Sequence, residues 1–124
     1  MNTLILLIDD DKITNIVNRK IIRKKKADVI IKDFQTANHA LEFLMHKKPE
    51  DFNVIIFLDI NMPEISGWEF ISLLEKNIKY KYVLYLLTSS IDENDKLRSE
   101  KLASVRSFIS KPLTIQKLDK LDLI

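Results

Sequence analysis

The chain has no cysteine and only one glycine among its 124 residues. Without cysteine there is no disulfide framework, no thiolate nucleophile and no soft metal ligand, which fits a reducing compartment. With one glycine, the turns must be built from Asn, Asp, Ser and Pro. Repeats, low-complexity segments and linkers are also missing. No apolar run approaches the length of a membrane span. The first, residues 4–8, follows Met1-Asn2-Thr3 without a basic start, so it reads as a strand and not as a signal peptide. A net charge of +2 is too small to argue for nucleic acid. What these absences leave is one cytoplasmic domain over residues 1–124, with no direct nucleic-acid contact and no membrane insertion. The chain is long enough to build a real core.

What is present begins with two apolar runs that each end in acid. Leu4-Ile5-Leu6-Leu7-Ile8 runs into Asp9-Asp10-Asp11, and Val54-Ile55-Ile56-Phe57-Leu58 runs into Asp59. Near-continuous apolar runs of this length read as strands covered on both faces, as in a parallel sheet. Strand-like runs alternate with helical patterns five times along the chain, which argues for a doubly wound α/β fold with helices on both faces. In such sheets ligands collect at the carboxyl ends of the strands. If the two acid-tipped strands are neighbours, their carboxylates repel and call for a cation or raised pKa values; oxygen-only donors suit a hard ion such as Mg²⁺. Two further strand ends bring a hydroxyl and an ammonium: residues 83–87 end in Thr88-Ser89-Ser90, and residues 105–109 in Ser110-Lys111-Pro112. Carboxylates, hydroxyl and lysine together make a site for a phosphoryl group.

Asp9-Asp10, Leu58-Asp59-Ile60-Asn61-Met62-Pro63, Ser66-Gly67, Leu87-Thr88-Ser89 and Phe108-Ile109-Ser110-Lys111-Pro112, in this order, resemble the receiver domain of two-component response regulators, the CheY-like type. The resemblance spans residue 4 to about residue 121. It implies a five-stranded parallel sheet in order 2-1-3-4-5 and a phosphoryl group passed from phosphohistidine of a sensor kinase or phosphotransfer protein to Asp59. It implies Mg²⁺ held by Asp10 and Asp59, by Asp9 through water, and by the backbone carbonyl of Asn61. Thr88 stands where the family has its switch hydroxyl, Lys111 where it has its lysine, and Phe108 where it often has tyrosine. A phenylalanine has no hydroxyl, so any switching there works by packing. Ser89 falls at a position usually kept small. The resemblance, and the need for a sharp turn that keeps Lys111 aimed at Asp59, imply a cis Lys111–Pro112 peptide. Such a domain is no enzyme beyond its own phosphorylation and dephosphorylation. Its output is expected through an unnamed protein partner, and it admits a phosphorylation-dependent dimer.

Two other classes share part of the pattern. Haloacid-dehalogenase-type phosphatases use an Asp nucleophile, Mg²⁺, a hydroxyl and a lysine, but carry a second Asp two residues on, where this chain has Asn61. A degenerate receiver would serve only as a binding module. The remaining residues take plainer readings. Asp11 is a helix cap; Ile13, Ile16, Val17 and Ile21 recur at helical spacing; Asn38 fits a cap ahead of a face of Ala37, Ala40, Leu41, Leu44 and Met45. Ser66 and Glu69 have capping-box spacing, and Thr114 fits a cap of a last helix with Ile115, Leu118 and Leu121. Residues 92–102 form the poorest amphipath, with Leu97 and Leu102 as its apolar residues. Residues 19–26 are a basic run, read as a solvated helix face. His39 and His46 read as surface residues, Trp68 as partly buried, and Met62, Pro63 and Gly67 as turn residues.

Overall fold

The apolar runs pair into one parallel sheet. In a computed structural model, which describes residues 2–46, 52–90 and 92–121, strands β1 (Asn2–Ile8), β2 (Ile30–Phe34), β3 (Phe52–Leu58), β4 (Tyr82–Thr88) and β5 (Val105–Ser110) lie in order 2-1-3-4-5. Helices α1 (Lys12–Lys25), α2 (Ala37–His46), α3 (Gly67–Asn77), α4 (Glu93–Glu100) and α5 (Ile115–Asp119) alternate with them. The fold is the doubly wound sheet expected from the alternation.

The two-residue period of a strand divides the core. Leu4, Leu6, Ile8, Val54, Ile56, Leu58, Leu84 and Leu86 meet α2 and α3 through Ala40, Leu44, Phe70 and Leu74. Ile5, Leu7, Ile55, Phe57, Tyr85 and Leu87 meet α1 and α5 through Ile22 and Leu118. Each side chain so buried contributes about 1.5–3 kcal/mol, which is why β1 from Leu4 to Ile8 and β3 from Val54 to Leu58 are apolar throughout. The edge strand β2 is less apolar and buries only Ile31 within its span.

Most helix starts follow the expected chemistry. Asp11 caps α1, its carboxylate accepting from the Ile13 N–H at 2.9 Å and the Thr14 hydroxyl at 3.1 Å. Ser66 caps α3 by accepting from the Glu69 N–H at 3.2 Å, Asp92 caps α4, and Thr114 caps α5. Each such cap is worth about 1 kcal/mol. Asn38 is not a cap. Ala37 must be buried in the first turn of α2, so the helix starts earlier and the Thr36 hydroxyl accepts from the His39 N–H instead. Met45 also lies outside the core face, half exposed. In α4, Leu97 points to solvent and Ser99 faces inward.

The larger departure concerns α1. Ile13, Ile16 and Val17 form a helix but do not face the sheet: they are 71%, 42% and 47% exposed. The buried face is Asn15, Asn18 and Ile22. Nor is the basic run simply solvated. Arg19 donates to the Ile31 carbonyl at 3.2 Å and to Asp33 at 2.9 Å, while Arg23 donates to the carbonyls of Ala27 and Val29. Arg19 latches α1 to the edge strand β2, Arg23 latches it to the turn that precedes β2, and together they help set its rotation.

Scarcity of glycine leaves a mark in the β3–α3 loop. Glu64 has φ 67°, in the left-handed region where a Cβ crowds the backbone at a cost of about 1–2 kcal/mol. Asparagine visits this region more readily. Replacing Glu64 by Asn is expected to raise stability by about 1 kcal/mol, read as a higher urea midpoint at unchanged slope. A lower midpoint would show that Glu64 is held by contacts worth more than its strain.

Candidate functional site

Register brings the acidic strand ends together. β1 and β3 pair with Ile8 opposite Leu58, and the ladder continues one step further: the Asp59 N–H donates to the Ile8 carbonyl, and the Asp9 N–H to the Phe34 carbonyl, both at 3.0 Å. Asp9 and Asp59 therefore stand side by side at the carboxyl edge, 4% and 5% exposed. Asp10, the next residue, lies exposed at the rim. One carboxylate oxygen from each of the three lies within 4.8 Å of the others. This hard, all-oxygen donor set fits a divalent cation.

The counter-charge comes from the far edge. β5 pairs with β4 so that Thr88 faces Ser110, and the Lys111 N–H donates to the Thr88 carbonyl at 2.9 Å. From there the ammonium reaches Asp9 Oδ2 at 2.6 Å and Asp59 Oδ2 at 3.2 Å. The Lys111–Pro112 peptide is cis, as expected. The other carboxylate oxygens take backbone donors: Asp9 Oδ1 accepts from the Asp11 N–H at 2.9 Å, and Asp59 Oδ1 from the Asn61 N–H at 3.2 Å. Burial draws the Lys111 pKa down, but the hydrogen bond to Asp9 and the charge of Asp59 outweigh it and hold the ammonium above its usual range. For Asp9 burial wins: it pushes the carboxyl above the usual range against the opposing Lys111 and Asp11 hydrogen bonds, with the Asp59 charge adding to the rise.

Around this centre, Thr88 is fully buried, and its hydroxyl accepts from the Ser90 N–H at 3.2 Å. Ser89 is exposed. Phe108 is half-buried against the α3 side of the core, opposite Leu86. Gly67 is more than a turn residue. It has no positive φ, yet a Cβ there would lie 2.7 Å from Ile60 Cα and 2.8 Å from the Asp59 carbonyl oxygen. Only glycine lets α3 start so close to the Asp59 backbone. Met62 is buried in the core beneath the loop and anchors it. Asp11, His39 and His46 stay outside the cluster, as expected. Trp68 is partly buried, with the Arg98 guanidinium 4.5 Å above its ring.

One residue at the site escaped the sequence reading. Asn15 is buried, and its amide donates to the Asp9 carbonyl at 3.0 Å. The isoleucines of α1 drew attention to the wrong face; the signal was the stripe Asn15, Asn18, Ile22, at spacing i, i+3, i+7.

With this geometry in place, the comparisons decide the family. The family model described as the response regulator receiver domain matches residues 5–121. A two-component response regulator from Cytophaga hutchinsonii is 36% identical, with 95% of this chain and 92% of that chain covered and a TM-score of 0.83. The chain belongs to the response regulator receiver family. A receiver protein from Dyadobacter fermentans shares the fold at 21% identity (94% and 91% covered, TM-score 0.82). So does the chemotaxis protein CheY4 of Vibrio cholerae at 19% (97% and 95% covered, TM-score 0.76). No curated protein matches by sequence. This receiver thus works in two-component signalling, a role that implies a phosphodonor kinase and a downstream partner. The family is no ordinary enzyme class, and the phosphatase alternative is not favoured. Among the described residues no helix is long and apolar enough to cross a membrane.

The direction of the Asp9 shift sets a pH dependence. A carboxyl whose folded pKa lies above its unfolded value of 3.8 binds its proton more tightly in the folded state. Stability is therefore lost as pH rises from that value through the folded pKa. In the absence of divalent cations, Asp9→Asn should gain on the parent in urea midpoint as pH is raised through this window. A gap that narrows with rising pH would reverse the sign assigned to Asp9.

Proposed function

We propose that Asp59 is the phosphoacceptor of this receiver, and the supporting observation is the Lys111 ammonium shared between Asp9 and Asp59. A carboxylate oxygen of Asp59 bonds to phosphorus as the phosphorus–nitrogen bond of phosphohistidine breaks, and the imidazole nitrogen keeps the electron pair. Charge gathers on the phosphoryl oxygens during this step, and a preset ammonium in a partly buried site stabilises it without reorganising. The Thr88 hydroxyl accepts from Ser90, which leaves its own hydrogen to donate to a phosphoryl oxygen. Mg²⁺, when bound, supplies the second positive pole at those oxygens. Asp10 and Asp59 would hold it directly, Asp9 through water, and the Asn61 carbonyl would complete the set; the clustered carboxylate oxygens support this assignment. Phe108, half-buried in β5, completes the switch by packing as Thr88 turns.

The exposed aliphatics of α1 supply the docking face for the phosphodonor. Ile13, Ile16 and Val17 lie side by side within the first turns after Asp11, beside the acidic cluster. Their occupant is a helix of the kinase or phosphotransfer protein that carries the phosphohistidine, since the bond to be made lies at that end of the sheet.

Incubation with phosphoramidate and Mg²⁺ should add one phosphoryl mass to the parent and none to Asp59→Asn. Modification of the variant at the parental rate would remove Asp59 from its role. The docking face is tested separately with Ile16→Glu, an exposed change that spares the core. Transfer from a phosphorylated histidine kinase should slow at least about tenfold, equivalent to about 1.4 kcal/mol, while phosphoramidate still modifies the variant at the parental rate. Equal transfer rates from the kinase would place docking elsewhere.

A further inference from the structure

The inward face of α1 holds polar residues that the phosphorylation chemistry does not use. Asn15 and Asn18 are 2% and 5% exposed, where a helix lying on a sheet normally puts aliphatic side chains. The amide nitrogen of Asn15 is engaged, donating to the Asp9 carbonyl at 3.0 Å and reaching the Phe34 carbonyl at 3.5 Å. Its amide oxygen, Oδ1, is buried without a partner among the described residues. Beside it runs a narrow pocket of ≈ 10 Å³, lined by Asn15, Asn18, Asp9 and Asp59, with Phe57 and Leu87 among its apolar walls. That interior is about the size of one water. The amide oxygen and the two carboxylates are all acceptors, so none can bond to another directly. A molecule with two hydrogens to give can join them.

We propose that this pocket binds one structural water and that Asn15 is a positioning residue acting through it. The water donates one hydrogen to Asn15 Oδ1 and the other to a carboxylate oxygen of the Asp9–Asp59 pair. It thereby braces the carboxylates in addition to the Lys111 ammonium. The inference rests on the Mg²⁺ reading of the site, because the purpose of the brace is to present the acidic oxygens to the metal.

Two variants and one structure test it. Asn15→Leu keeps the branched shape but is larger, so it fills the pocket, and it loses the acceptor together with the donor to the Asp9 carbonyl; Asn15→Ser keeps a hydroxyl and leaves room for water. Mg²⁺ affinity is measured by calorimetry and folding by urea denaturation, alongside a high-resolution crystal structure of the parent. The parent should show a water within hydrogen-bond distance of Asn15 Oδ1 and a carboxylate oxygen. Asn15→Leu should weaken Mg²⁺ binding about tenfold while still unfolding cooperatively in urea, and Asn15→Ser should restore most of that loss. A dry pocket, or a cation in it, overturns the proposal, and this arm decides even if Asn15→Leu fails to fold. A parent that binds no Mg²⁺ overturns the reading of the site itself. A parent and an Asn15→Leu variant that bind it equally overturn only the role of Asn15.

Discussion

The whole carboxyl edge of this sheet is organised by one electrostatic problem: two buried carboxylates on adjacent strand ends. Two like charges about 4 Å apart at an effective dielectric constant of 20 repel by roughly 4 kcal/mol, and burial adds to the cost of ionising Asp9. The ammonium of Lys111, in contact with both, makes the arrangement sustainable. Its reach depends on the β4–β5 register that fixes the start of its turn. Asp59 in turn is held by the close approach of α3, which a single glycine permits. A cluster that needs positive charge for its own stability is also one that fits a divalent cation. Structural requirement and chemistry here have the same cause.

Helix α1 meets the same site with an inverted amphipathic pattern. Near the acidic cluster it buries amides and exposes isoleucines, while further along Ile22 takes the usual place of an apolar residue against the sheet. Burying an amide costs free energy unless its hydrogen bonds are kept, and exposing aliphatic side chains forgoes their burial. Both become intelligible when the helix has two neighbours besides the sheet: the acidic site on its inner side and, in the proposed docking, a partner protein on its outer side. The arginine latches to β2 and to the turn before it hold the helix in this rotation.

The backbone architecture was legible because its signals are local. Acid-tipped apolar runs, alternation with helical periods, and caps at Asp11, Ser66 and Thr114 each depend on a few neighbouring residues. The clustering of the candidate residues was legible too: Asp9, Asp10, Asp59, Thr88 and Lys111 all lie at strand ends, and the structure gathers the three acids and the lysine. The misreadings were of another kind. Asn38 has a capping side chain, but the burial of Ala37 started α2 earlier. Ile13, Ile16 and Val17 have helical spacing, but spacing does not say which face meets the sheet. Gly67 looked like a turn residue, whereas its lack of a side chain answers to a backbone it meets across the loop.

The sequence by itself determined the order of elements, the sheet's parallel character and the residue types at each strand end, because propensity, periodicity and side-chain chemistry are carried by the chain locally. Only the tertiary structure decided that Lys111 pairs with Asp9 as well as Asp59, across 102 and 52 residues, that Asp9 is pushed up by burial, and that α1 turns its asparagines inward. The physical reason is that distance, burial and rotation arise from packing among segments remote in sequence. A carboxylate has the same chemistry wherever it occurs, but its neighbours and its dielectric surroundings exist only after the strands have been laid side by side.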